Sequence, residues 1–174
     1  MSTGIPQARA MAPLTILWHS QTGGTQAMVD ALADGAAAAA PEVPTRRLHA
    51  ASAAADDALA AGLLVFATPE NLGAMSGLLK DWFDRAYYDL LDRVNGKPYA
   101  LLVCAGSDGH NAIRQVERIA TGLRLRQVAE PLLVNVGAQS PAAIRAHKTL
   151  PEAELARCRE LGATLAAGMA LGIW

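Results

Sequence analysis

The chain has 174 residues, 52% hydrophobic and 18% charged, with a formal net charge of −1. Its length suits one domain with a sizeable buried core, and its near-neutral balance gives no electrostatic basis for binding nucleic acid or an anionic membrane. The two cysteines, Cys104 and Cys158, make neither a disulfide framework nor a metal-binding cluster, which points to a reducing, cytoplasmic setting.

Residues 1–13 lack the charged start and long apolar core of a targeting segment. They read as a flexible tail, leaving 14–174 as a single domain. The first apolar run, Leu14-Thr15-Ile16-Leu17-Trp18, reads as a strand. It leads through His19-Ser20-Gln21-Thr22-Gly23-Gly24-Thr25 into an alanine-rich helix over Thr25–Ala40, ending before Pro41. Such a turn offers unpaired backbone N–H groups and the positive end of a helix dipole, which together suit a phosphate. Ser20, Thr22 and Thr25 add hydroxyl donors, while Gly23 and Gly24 let the backbone close around an anion. No Lys or Arg lies in this loop, so dipoles rather than a formal cation are expected to hold the anion. The loop lacks the lysine of a nucleotide triphosphatase loop and the three spaced glycines of a dinucleotide loop. A plain strand-to-helix turn with a hydroxyl cap explains the same residues equally well.

Val43–Leu48 is a weaker strand candidate, placed near a sheet edge by Pro44. Asp56 and Asp57 interrupt the next small-apolar stretch, which excludes a membrane span. Leu63–Ala67, Tyr99–Ala105 and Leu132–Val136 are continuous apolar runs, as strands buried on both faces require. Between and after them, Met75–Leu91, Asn111–Leu123 and Glu152–Leu171 read as helices, the last with Pro151 at its start. This alternation predicts an α/β fold, a doubly wound five-stranded parallel sheet in the order 2-1-3-4-5 with helices on both faces. Ligands of such sheets bind at the carboxyl strand ends, where the winding direction reverses, so the loops after strands 1, 3 and 4 converge.

The loop after the third strand reads Pro69-Glu70-Asn71-Leu72-Gly73-Ala74-Met75-Ser76-Gly77, followed by Leu78-Leu79-Lys80-Asp81-Trp82-Phe83-Asp84. Together with Ser20-x-Thr22-Gly23-x-Thr25, it resembles the NAD(P)H-dependent FMN reductases and quinone reductases of the flavodoxin-like superfamily. The resemblance spans residues 14–136. It implies that Ser20–Thr25 hold the FMN phosphate and that Pro69, Glu70, Asn71, Leu72, Gly73, Ala74 and Met75 border the isoalloxazine ring. The family's usual aromatic after Pro-Glu is replaced by Asn71. The loop after the fourth long strand, Gly106-Ser107-Asp108-Gly109, would form the other wall of the ring site. The resemblance further implies NAD(P)H as co-substrate and a small acceptor such as a quinone or free flavin, with no catalytic acid or base required. Electron-carrier flavodoxins, the alternative, are typically strongly acidic, and this chain is not.

Other residues carry two readings each. His19 could bond the phosphate or be a buried structural histidine, and His110 could donate a proton or lie on the surface. Glu70 could contact substrate or favour the nearby helix start. Cys104 reads as a core residue. Arg114 and Arg118 could meet a nucleotide phosphate or line a solvated face. Tyr87, Tyr88 and Trp174 are candidates for a homodimer interface.

Overall fold

The computed structural model describes residues 11–174, so most of the expected tail lies outside the described residues. Strand β1 (Leu14–Trp18) is central and pairs in parallel with β2 (Thr45–His49) on one side and β3 (Leu63–Asn71) on the other. Beyond β3 lies β5 (Pro98–Ala105), which pairs with two short strands, β6 (Arg126–Gln127) and β7 (Leu132–Asn135). The predicted order therefore holds, with its fifth position divided between β6 and β7. Pro131, which has no N–H to donate, stands between the two pieces. The edge position expected from Pro44 is that of β2.

One further strand extends the prediction. β3 continues past Ala67 through Asn71 and turns at Leu72 and Gly73 to pair antiparallel with β4 (Ala74–Met75). This hairpin delays the helix expected from Met75. α3 spans Gly77–Leu90, capped by Ser76, whose hydroxyl accepts a hydrogen bond from Leu79 N at 3.2 Å.

The other long helices, α1 (Gly24–Ala39), α4 (His110–Gly122) and α6 (Glu152–Ala170), lie where the apolar spacing places them. Two short ones, α2 (Ala55–Ala60) and α5 (Pro141–Arg145), were not foreseen. Each is under two turns long, too short to show a helical period.

The sheet buries both faces. On one, Ile16, Val65, Ala100 and Leu102 pack under α1 and α6; on the other, Leu17, Phe66, Leu101 and Val103 pack under α3 and α4. α1 and α6 meet backbone to backbone at Gly35 and Gly162. A Cβ on Gly35 would strike the Arg159 carbonyl, and one on Gly162 the Leu32 carbonyl. That contact fixes α1 against the last helix and aims its amino end at the carboxyl edge of the sheet.

Lys97 secures the opposite edge. Its ammonium donates to the carbonyls of Ala58 (2.9 Å), Leu59 (2.9 Å) and Ala61, satisfying the end of α2, and burial pulls its pKa below the usual lysine value. Among the described residues, no helix is long and apolar enough to cross a membrane.

Candidate functional site

The carboxyl ends of β1, β3 and β5 open onto one cleft of about 290 Å³. Its first wall is the turn from β1 into α1. Gly23 is the helix N-cap with φ 92° and ψ −18°, and no side chain caps the helix. Ser20 Oγ instead accepts a hydrogen bond from Gly23 N at 3.1 Å, which tightens the turn. The N–H groups of the helix's first turn therefore point outward without intrahelical partners. Thr25 stands among them, 1% exposed, and its buried hydroxyl has no hydrogen-bond partner. An unsatisfied buried hydroxyl costs about 1–3 kcal/mol. A ligand with acceptor oxygens arriving here would remove that cost.

The second wall is the β3–β4 hairpin. Pro69, Glu70, Asn71, Leu72 and Gly73 line the cleft. At the tip, Leu72 is fully exposed and sits at φ 51°, a conformation a leucine seldom adopts. Three side chains hold the hairpin in place. Thr68 Oγ1 accepts from Ser76 N at 2.9 Å, Gln115 Oε1 accepts from Met75 N at 2.9 Å, and Asn111 Nδ2 donates to the Gly73 carbonyl at 2.6 Å. The last two come from α4, so that helix braces the hairpin.

The third wall follows β5, where Cys104, Ala105, Gly106 and Ser107 line the cleft. Cys104 is buried, and its Sγ lies 2.5 Å from where a Gly24 Cβ would stand. Burial pushes its thiol up to about 11, with Lys148 pulling weakly the other way, so it is an uncharged packing group at neutral pH.

Of the residues predicted from sequence, the structure brings Ser20, Gln21, Thr22, Gly24, Thr25, Pro69–Gly73, Gly106 and Ser107 together around the cleft. Gly23 lies behind the lining, as the turn that shapes it. Ala74 and Met75 form β4 and stand back from the cleft. Asp108 and Gly109 lead away into α4, where Asp108 Oδ1 and His110 Nδ1 pair on the surface at 2.7 Å. His19 is 8% exposed beneath the turn. Its Nδ1 has no partner, and burial, then His49, lower its pKa. Tyr88 is exposed on α3, whereas Trp174 is tied back through Nε1 to the Leu165 carbonyl at 3.2 Å.

Sequence reasoning missed a fourth group, Val136, Ala138, Ile144 and Lys148, which complete the lining from the segment between β7 and α6. It therefore missed the cation there. No local signal could reveal it, because Lys148 joins the first loop only through the tertiary fold. Among the described residues no group of three His, Cys, Asp or Glu side chains is placed to hold a metal ion. At one end the cleft combines the uncapped start of α1, the unpartnered Thr25 hydroxyl and a lysine.

The family model described as NADPH-dependent FMN reductase matches residues 31–139. That stretch, more than half of the chain, contains the β3–β4 hairpin and the loop after β5 but neither Ser20–Thr25 nor Lys148. A flavodoxin from Aquifex aeolicus is 26% identical over 169 residues, covering 92% of this chain and 89% of its own. Among solved structures, a flavodoxin from the domain Archaea aligns with a TM-score of 0.72 at 15% identity, covering 91% of this chain and 99% of that one. A WrbA-like flavodoxin from Agrobacterium tumefaciens aligns at 0.66 with 17% identity, covering 92% and 98%.

Proposed function

The chain belongs to the NADPH-dependent FMN reductase family, and from that premise we propose that it holds FMN in this cleft and acts as an NAD(P)H-dependent oxidoreductase on a small acceptor such as a quinone or free flavin. The observation that carries the reading is the unpartnered, buried Thr25 hydroxyl at the uncapped start of α1. It is a donor without a partner, in a turn whose first helical N–H groups also lack intrahelical partners. A terminal monophosphate suits this turn, being surrounded on several sides by donors.

The chemistry supplied there by FMN is hydride acceptance from a nicotinamide and release of the electrons to a second substrate. The residues of this chain contribute binding and placement. Ser20, Thr22 and Thr25, with the first N–H groups of α1, would hold the phosphate. The β3–β4 hairpin and Gly106-Ser107 would flank the ring, and their backbone N–H groups would favour negative charge on its polar edge. Bracing by Thr68, Asn111 and Gln115 keeps the hairpin at a fixed separation from the opposite wall. The net charge of −1 argues for enzymatic use over docking to large redox partners, which relies on a strong field.

The test is the visible absorption of the purified protein, with and without added FMN, followed by NADPH and NADH consumption with a quinone present. We expect a yellow protein that consumes pyridine nucleotide when the quinone is added. A colourless protein indifferent to FMN would overturn the reading. A yellow protein that ignores both nucleotides would instead be an electron carrier.

A further inference from the structure

The loop that would hold the phosphate has no cation of its own, yet a lysine from far along the chain lies against it. The segment that follows β7 lines the cleft through Ala138 and Ile144, forms α5, and then meets the turn between β1 and α1. There, Lys148 N donates to the Thr22 carbonyl at 2.8 Å. The imidazole of His147 fills the space that a side chain on Gly23 would need. The Lys148 stem packs over Gly24, with its Cβ 3.4 Å and its Cγ 3.6 Å from where a Gly24 Cβ would stand. Lys148 is half-buried and its ammonium donates to the carbonyls of Ala143 (2.8 Å), Ile144 (3.0 Å) and Ala146 (2.5 Å). Those three bonds occupy every N–H of the ammonium, so Lys148 can act on a ligand only through its charge, which no carboxylate pairs with among the described residues. Lys148 also lines the same cleft as the unpartnered Thr25 hydroxyl.

The geometry points to Lys148 as the phosphate-selecting residue of this site: a fixed positive charge that makes the cleft prefer a phosphorylated flavin over its dephosphorylated form. This rests on the FMN reading above and extends it to a segment outside the matched family region. The α5 carbonyls hold the ammonium in place before ligand arrives, so little side-chain freedom is lost on binding. Its charge then adds to the α1 dipole in a partly buried site, where screening is weaker than in bulk water.

The experiment titrates the flavin-free full chain with FMN and with riboflavin, following flavin fluorescence, for wild type, K148M and K148R. Methionine keeps most of the stem that covers Gly24 and removes the charge. We expect K148M to lose affinity for FMN about tenfold or more while riboflavin affinity stays within about twofold. K148R should keep the preference for FMN, and the salt dependence of FMN binding should flatten in K148M. Equal losses for both flavins in K148M would show that the lysine only supports the fold. No loss of affinity for either flavin would remove it from phosphate recognition. Either result overturns the inference alone, because the wild-type ratio tests the parent reading separately: if wild type binds both flavins alike, no phosphate is read at all.

Discussion

Gly23 (φ 92°, ψ −18°) and Gly109 (φ 92°, ψ −19°) start α1 and α4 with the same left-handed turn, and neither helix has a side-chain cap. Both turns follow a central strand at the carboxyl edge of the sheet. Beside Gly23 lie the buried Thr25 hydroxyl, a cleft, and Lys148 packed against the turn. Around Gly109 lie Leu133 and Ala105, where a side chain would have to go, and the helix start carries its own carboxylate in Asp108. An anion near the amino end of a helix satisfies the dipole locally. α4 thus needs no ligand, and its side chains Asn111 and Gln115 are spent on bracing the hairpin. Backbone geometry alone does not make a phosphate site; unsatisfied neighbours do.

The sharpest way to break this contrast is to add the same methyl group at both turns. Gly23→Ala should lower FMN affinity about a hundredfold, because a strained turn moves the donors off the phosphate. Gly109→Ala should cost about 1–3 kcal/mol of stability yet leave FMN affinity within about threefold. Flavin titration and thermal melting separate the two, and equal effects on binding would erase the distinction.

Next in size is Thr25→Val, which keeps the volume and deletes the hydroxyl. FMN affinity should fall about tenfold, while the flavin-free protein becomes more stable by about 1 kcal/mol because a buried orphan is gone. A destabilised variant with intact binding would mean the hydroxyl serves the fold.

A smaller effect concerns Cys104, the thiol under Gly24, and Cys158, whose thiol burial also raises to about 11. Neither should react with iodoacetamide at pH 8 until the chain is unfolded in urea. In the unfolded chain these thiols ionise near 9.0, while in the folded chain they keep their protons to about 11. Their contribution to stability therefore falls as pH rises between those values, measurable as a declining melting temperature relative to a C104A/C158A variant.

Smallest is Asp108→Asn. The hydrogen bond from His110 leads the causes that hold Asp108 below its ordinary 3.8, and the carboxyl is fully exposed. A lowered carboxylate pKa stabilises the fold above the unfolded value and loses that effect as pH falls through the folded one. The slight advantage of wild type in a thermal melt should thus be present at pH 7 and vanish below pH 3.8. A difference that persists at acid pH would point to packing instead.

Much of this fold is legible in the sequence for one reason. β1, β3 and β5 are buried on both faces, so Ile16, Val65, Leu102 and their neighbours form unbroken apolar runs that leave little room for another assignment. The β3–β4 hairpin escaped because its turn has Leu72 where Asn or Gly would announce a left-handed residue. α2 and α5 escaped because a helix of five or six residues has no period to read. Three loops of the candidate site were legible from hydroxyls, glycines and Pro-Glu placed after the proper strands. Lys148 was not, since its bond to Thr22 joins residues at opposite ends of the domain. Thr68, Asn111 and Gln115 were equally silent, being ordinary polar residues whose role depends on where a hairpin folds back.

The glycine-to-glycine seam between α1 and α6 has a consequence for synthesis. A nascent chain leaving the ribosome releases α1 early and α6 late, so the helix whose amino end would receive the phosphate lacks its α6 seam for most of translation. Until α6 emerges and docks at Gly35, α1 is held by the sheet alone. If docking of α6 sets the final placement of α1, ribosome-bound chains stalled before Glu152 should take up less flavin than the full chain.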